Sequence, residues 1–591
     1  MERFARVAAK ALSEVLERPV QTSDLETPPD PKLGDFGYPC FKLSKEFRKG
    51  PPQVAEQLVA QLNAKKELLG TLEASAAGPY VNFRVPQGEV LQSLLADILA
   101  GPGLGAYGKL PEASRGNWVL EYSSPNVAKP LNIYHLRPTA LGAALDRIGR
   151  YRGFKVTSIN HLGDWGKQYG MLAVAFRHFG IPLDMNLSMM ELVNLYVQIN
   201  AEVKKNPALE DQAREAFAKL EKGDPEITAF WQKCVKISLQ EFDRIYKRLG
   251  VHFDHIWGES FYKDQLAPLL DLLRQKNLLV QSEGAWIVPV TDAQGKELPP
   301  CILEKSDGAT IYATRDVAAA IYRFSQFAFD RMTYIVGGEQ RLHFQQVFSV
   351  IRQMGPEYSW ISRCEHVPTG LYRFKDAKMS TRNGNFITLE EVIDLAKTRV
   401  TELMEARRKN TPEGALPSAA PTDAITEAIA VGAVVFHDLG TDPARDVEFD
   451  IERVVDFEGE TGPYLQYAHT RCLSILRKAR ETGVLKEAEG SAAFFDKKLI
   501  GKLGAPEELA LIKTLGMFPL HLERTLTLAK ASQLAHYLID LTKAFGSFYR
   551  ECRVLGDDPE LSRARLMLVE ATRRILAQGL GLMLVPVPER M

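Results

Sequence analysis

Apolar residues near the amino terminus recur at helical spacing: Phe4, Val7, Ala8, Leu12 and Val15 share one face of MERFARVAAKALSEVLERPV, with charges between them. The pattern predicts an amphipathic helix, and its interrupted apolar run is unlike that of a secretory signal. Beyond it, helical patterns alternate with the turn-rich Thr27-Pro28-Pro29-Asp30-Pro31 and Gly34-Asp35-Phe36-Gly37, and Tyr80-Val81-Asn82-Phe83-Arg84 reads as a strand. A small α+β module is expected over 1–105, bounded by Gly101-Pro102-Gly103-Leu104-Gly105.

From Trp118 the period changes. A short apolar strand at 118–122, a helical run at 136–151 and a second strand at 155–159 have the spacing of a βαβ unit, which predicts parallel strands. Charged helical patterns dominate 185–300, and a second βα set resumes at 309–320 and 332–336. Residues 106–405 are therefore expected to form a Rossmann-like parallel-sheet domain of α/β class, split by a helical insertion at about 185–300. RRKNTPEGALPSAAPT, at 407–422, has the composition of a connection, placing a linker at 406–422. After it the pattern is helical. Leu534, Leu538, Leu541, Phe545 and Phe548 form a stripe at spacings of three and four, so 423–591 is expected to be an all-α helical bundle.

Length and composition narrow the class. At 591 residues the chain exceeds what one hydrophobic core supports, and 45% hydrophobic with 25% charged residues is an ordinary globular composition. Lys plus Arg (73) and Asp plus Glu (74) nearly cancel, so any polyanion must meet a local basic surface rather than a basic molecule. The six cysteines include no CxxC pair, which argues against a zinc ribbon or a disulfide framework and fits a reducing compartment. No apolar run approaches the ~18 residues that span a bilayer, so a cytoplasmic protein with no membrane partner is expected.

Two segments carry candidate chemistry. In Glu121-Tyr122-Ser123-Ser124-Pro125-Asn126-Val127-Ala128-Lys129-Pro130-Leu131-Asn132-Ile133-Tyr134-His135-Leu136-Arg137, a strand feeds a polar turn and then a helix. Unpaired N–H groups and the helix dipole favour an anion there, and His135 stands ready to donate to a phosphate. Phe374-Lys375-Asp376-Ala377-Lys378-Met379-Ser380-Thr381-Arg382-Asn383-Gly384-Asn385 is a cationic loop able to place ammonium charge on a departing pyrophosphate. Alone, the first could be a capped turn and the second a solvated basic turn.

Together, on opposite halves of a split parallel sheet, they resemble the HIGH and KMSKS signatures of class I aminoacyl-tRNA synthetases in their arginyl form. The resemblance extends to Asn160-His161-Leu162-Gly163-Asp164-Trp165-Gly166, to Asp307-Gly308-Ala309-Thr310-Ile311-Tyr312-Ala313-Thr314-Arg315-Asp316, to Glu458-Gly459-Glu460-Thr461-Gly462-Pro463-Tyr464-Leu465-Gln466-Tyr467 and to the terminal Val587-Pro588-Glu589-Arg590-Met591. It implies arginine activation by ATP with Mg²⁺, with no tightly bound metal, followed by transfer to tRNA(Arg), and a monomer is expected. Catalysis falls to His135, Lys378 and Asn132. ATP binding falls to Pro125, Ala128, Lys129, Asn132, Tyr134, His135, Gly337, Gly338, Lys378, Met379 and Ser380. Arginine binding falls to Glu121, Ser123, Asn126, His161, Tyr312, Asp316 and Gln340, where a carboxylate and a flat ring suit a planar five-donor guanidinium. Contact with tRNA falls to Tyr464, Tyr467, Arg471 and Met591, and the amino-terminal module resembles a domain that meets the outer corner of tRNA.

The chain departs from the HIGH pattern at Asn132 and Tyr134, which stand where a histidine and a glycine are expected. Asn132 can donate a hydrogen bond but carries no charge. A phenol at position 134 occupies the place where glycine lets adenine lie against backbone. The same departures allow a rival reading, a catalytically impaired paralogue that binds tRNA or a protein partner, and a second rival is a class I nucleotidyl transferase for another small acid.

Overall fold

The computed structural model describes residues 1–28, 30–86, 89–99, 107–292, 294–306, 308, 310–374, 387–409, 420, 422–485 and 496–591. Two compact units emerge, one of Glu112–Glu402 with Ala430–Val455, the other of Met1–Pro111 with Leu403–Ile429 and Asp456–Met591.

In the second of these, the helix Glu2–Leu16 buries Phe4, Ala8 and Leu12 as the periodicity requires, while Val7 and Val15 sit half-buried at the edge of the stripe. Strands β1 (Phe36–Pro39), β2 (Glu73–Ala77) and β3 (Tyr80–Arg84) form an antiparallel sheet in the order β1-β3-β2. The C-terminal part is helical, with Gly462–Glu481, Pro506–Gly516, Phe518–Leu528, Ser532–Glu551 and Pro559–Leu582 as its main elements. The stripe from Leu534 to Phe548 is buried throughout. Asp35 meets Lys513 at 2.9 Å, and Arg574 Nη1 donates to the Leu99 carbonyl at 3.1 Å. Amino-terminal residues thus pack on C-terminal helices within one unit.

The other unit is built on a five-stranded parallel sheet of β4 (Asn117–Glu121), β5 (Lys155–Asn160), β6 (His255–Ile256), β10 (Arg331–Gly337) and β11 (Cys364–Thr369), in the order β11-β10-β4-β5-β6. Trp118, Val119 and Leu120 are wholly buried, as expected of a central strand covered on both faces. The strand order reverses between β4 and β10, so the crevice beyond Glu121 and Gly337 is the topological switch point where ligands of open α/β sheets bind. The helix Leu136–Tyr151 lies close over β4: a Cβ on Gly142 would fall 2.1 Å from the Tyr122 ring, so only glycine permits this approach.

The stretch read as a helical insertion does hold the helices Met189–Val203, Ala208–Glu221 and Pro225–Leu249. It also supplies β6 to the main sheet, and an antiparallel sheet of β7 (Val280–Ser282), β8 (Ala285–Thr291) and β9 (Glu297–Glu304). Pro289 sits inside β8 at an irregularity of register, and Pro299 and Pro300 sit in β9. These prolines hid the strands from a reading by pattern. Two further short strands, β12 (Tyr372–Phe374) and β13 (Val447–Phe449), pair in parallel.

Candidate active site

Beyond β4 the chain turns through backbone that few side chains adopt: Ser123, Ser124 and Ala128 have φ of 73°, 48° and 59°. Strain of this kind persists where the surroundings over-determine it. The Ser123 hydroxyl lies 2.7 Å from the hydroxyls of both Tyr246 and Thr139. The Ser124 N–H donates to Asn160 Oδ1 at 3.1 Å, and the Ala128 N–H to Ser238 Oγ at 2.9 Å. Gly163 N–H donates to the Pro125 carbonyl at 3.1 Å and bridges to Asn126, which brings the loop after β5 beside this turn. Asn126 and Lys129 are exposed.

The turn closes on reciprocal bonds. Asn132 Oδ1 accepts from the Tyr134 N–H at 3.1 Å, while the Asn132 N–H donates to His135 Nδ1, also at 3.1 Å. The proton of His135 therefore sits on Nε2. Burial pushes its pKa down to about 4, the Asn132 bond opposing and Lys129 adding to the shift, so the imidazole is a neutral N–H donor at pH 7. The Tyr134 ring meets Tyr372 edge-on, with centroids 6.4 Å apart.

On the other side of the crevice, the helix Tyr312–Phe327 presents Tyr312 and Asp316 one turn apart. Tyr312 is 61% exposed, whereas the Asp316 side chain is 22% exposed. His343 Nε2 donates to Asp316 Oδ2 at 2.5 Å, and His161 Nε2 lies 3.6 Å from Oδ1. Burial raises the Asp316 pKa, but the bond and charge of His343, with the charges of His161 and Arg323, outweigh it and hold the carboxyl below its ordinary range. The Glu121 carboxylate, buried at the end of β4, pairs with Arg323. Arg323 Nε also donates to the Tyr262 hydroxyl at 3.1 Å, and Nη2 lies 3.2 Å from His161 Nδ1. A continuous polar chain thus runs from Glu121 through Arg323 and His161 to Asp316 and His343. Gly337 ends β10, and Gly338 and the exposed Gln340 lie in the short turn Gly338–Gln340 before the helix that carries His343.

The family model described as "tRNA synthetases class I (R), catalytic domain" matches residues 105–451, "DALR anticodon binding domain" matches 465–591, and "Arginyl tRNA synthetase N terminal domain" matches 2–85. The chain belongs to the arginyl-tRNA synthetase family. The arginine–tRNA ligase of Exiguobacterium sibiricum is 39% identical over 595 residues, covering 100% of this chain and 99% of that protein. That of Streptococcus equi subsp. equi is 40% identical over 590 residues, with 100% and 99% covered. Among solved structures, Thermus thermophilus arginyl-tRNA synthetase matches with a TM-score of 0.78 at 24% identity, covering 99% of this chain and 100% of that one. The Plasmodium falciparum arginyl-tRNA synthetase matches at 0.77 and 22%, covering 100% and 99%. The enzyme is an aminoacyl-tRNA ligase that joins arginine to tRNA in an ATP-dependent reaction.

Within this synthetase fold, Lys378, Met379 and Ser380 lie outside the described residues, as do Asp307 and Ala309. Tyr464, Tyr467 and Arg471 share one face of the helix Gly462–Glu481, both tyrosines half-buried, and Met591 ends the chain half-buried. The Arg471 guanidinium stands 4.9 Å from the Tyr467 ring centroid and donates to its hydroxyl at 3.1 Å. Reading the sequence missed Arg323, His343 and Tyr262. Arg323 carried a signal, since it follows Asp316 by two helical turns on the same face. His343 carried none: its bond to Asp316 spans two helices.

No helix among the described residues is long and apolar enough to cross a membrane.

Proposed function

We propose that the crevice beyond β4 and β10 binds arginine through Asp316 and ATP through the turn that ends at His135. The observation that carries this reading is the Asp316 carboxylate itself. It is held ionised by two imidazoles, yet stays partly open beside the exposed Tyr312 ring. A guanidinium offers five N–H donors in a plane, and an ionised carboxylate backed by a flat ring matches it, with Gln340 as a further acceptor. Glu121 and Asn126, with Ser123 and His161, hold the α-amino and carboxylate groups. Because Arg323 already claims part of the Glu121 carboxylate, the substrate ammonium shares that group rather than neutralising it alone.

ATP then lies across the switch point. Gly337 and Gly338 let the backbone itself approach the nucleoside, Pro125, Ala128, Lys129, Asn132 and Tyr134 line the turn, and Met379 and Ser380 follow Lys378 in the cationic segment. Mg²⁺ would come bound to the ATP phosphates and would supply positive charge to them. The arginine carboxylate attacks the α-phosphorus in line and pyrophosphate leaves. The neutral His135 donates an N–H to the developing charge, Lys378 supplies positive charge and Asn132 a further donor, so positioning and electrostatics provide the rate. The terminal ribose hydroxyl of tRNA(Arg) next attacks the adenylate carbonyl and releases AMP. Tyr464, Tyr467, Arg471 and Met591 contact unstacked bases and phosphates of the anticodon region, and the chain works as a cytoplasmic monomer.

Asp316→Asn tests the pocket, because it keeps shape and removes charge. Arginine-dependent ATP–pyrophosphate exchange should show KM for arginine raised about a hundredfold, the usual scale for losing one partner of a desolvated charge pair, with KM for ATP within about twofold. An unchanged KM for arginine would sink the assignment.

A further inference from the structure

Arg137 follows His135 by two residues in the helix Leu136–Tyr151 and is buried. Its Nε lies 3.4 Å from Oδ2 of the buried Asp438. One Nη donates to the Arg445 carbonyl, and the other to the Asp442 carbonyl at 3.2 Å. The Tyr372 hydroxyl donates to the same Asp438 oxygen. Tyr372 opens β12. Gly370 N–H donates to the Pro443 carbonyl and Val447 N–H to that of Leu371, both at 2.8 Å. A Cβ on Gly370 would stand 2.3 Å from the Arg445 carbonyl oxygen, so the two backbones touch.

Residues 387–389 are tied to the same turn. Ile133 N–H donates to the Ile387 carbonyl at 3.3 Å, Leu389 N–H to that of Leu131 at 2.9 Å, and Asn132 bridges to Thr388. The turn that carries Asn132 and His135 is therefore anchored both to β12 and to residues 387–389.

We propose that Arg137, Asp438 and Tyr372 are positioning residues for adenylate formation: they tie the turn that carries His135 to β12, so that the His135 Nε2–H is held where it meets the triphosphate. A buried ion pair is seldom more stabilising than apolar packing of the same volume, so its value here is geometric. Side chains from two separate elements, Arg137 and Tyr372, meet one carboxylate oxygen carried by a third, which leaves little freedom to slide. A misplacement of about 1 Å between reacting groups can cost about a hundredfold in rate. The proposal rests on the assignment of His135 to the phosphates.

Tyr372→Phe and Asp438→Asn test it in the full-length enzyme, each alone and combined with His135→Gln, by arginine-dependent ATP–pyrophosphate exchange with tRNA present. Tyr372→Phe keeps the ring and removes only a hydroxyl, so the fold survives. Each single variant should lower kcat about ten- to a hundredfold with KM for arginine within about twofold, and should add little in the His135→Gln background, because groups acting as a unit are non-additive. An undiminished loss in that background overturns the proposal, as does a kcat close to the parent value in both single variants while His135→Gln is impaired. If His135→Gln itself exchanges normally, the assignment of His135 fails and the proposal falls with it.

Discussion

Burial raises the Asp316 carboxyl, and the hydrogen bond and charge of His343, with the charges of His161 and Arg323, more than offset it. His343 is pushed down by burial but up by Asp316, and its net shift is upward. A guanidinium needs the carboxylate form, so arginine affinity should hold as pH falls through mild acid, and fade only below the usual carboxylate range of about 4. His343→Gln removes the imidazolium and leaves burial unopposed by its strongest partner. The acid limb of arginine binding, followed by titration calorimetry, should then move toward neutral pH; an unmoved limb would show that His343 does not set the charge of Asp316. Tyr312 and Asp316 were named through the family resemblance, and the four-residue spacing shows only that they share one face of a helix. The pairing of Glu121 with Arg323 was not legible in the chain, since 202 positions separate the partners and only the fold closes that distance.

The helix Leu136–Tyr151 was readable to its ends because both neighbouring strands are apolar and the intervening period is helical. Its distance from β4 was not readable, for that depends on the missing side chain of Gly142 over Tyr122. Gly142→Ala should lower stability by roughly 1–3 kcal/mol, the usual cost of overpacking, and slow exchange, because the helix must lift and takes His135 with it. Thermal unfolding beside exchange kinetics checks this, and a neutral variant would mean that the Tyr122 ring can swing away. The opposite failure came from β6 and from β7 to β9. A strand of two residues has no period to detect, and prolines inside β8 and β9 argue locally against the sheet that tertiary pairing nevertheless builds.

Residues remote in sequence share a unit where Asp35 meets Lys513, the acceptor on the amino-terminal sheet side and the ammonium on the helix Pro506–Gly516. Asp35 also accepts from the Val85 N–H at 2.7 Å, and Lys513→Met leaves this half-buried carboxylate without its lysine partner. Native-state hydrogen exchange should quicken together in β1 and in Pro506–Gly516, since a cooperative unit opens as one. A change confined to β1 would show that these residues unfold separately. Strand–helix–strand spacing, helical periodicity and turn chemistry were enough to reveal a parallel-sheet domain between an α+β start and a helical end, because each acts over a few residues. The signature segments likewise disclosed the family. The partners of the site's charges, the joining of the two ends of the chain in one unit and the anchoring of the His135 turn by Asp438 depend on contacts between separate elements, from 27 positions apart for His343 and Asp316 to 478 for Asp35 and Lys513. Such contacts leave no periodic trace in the chain, and arise only when buried charges must find counter-charges and backbones can approach closely enough to supply them.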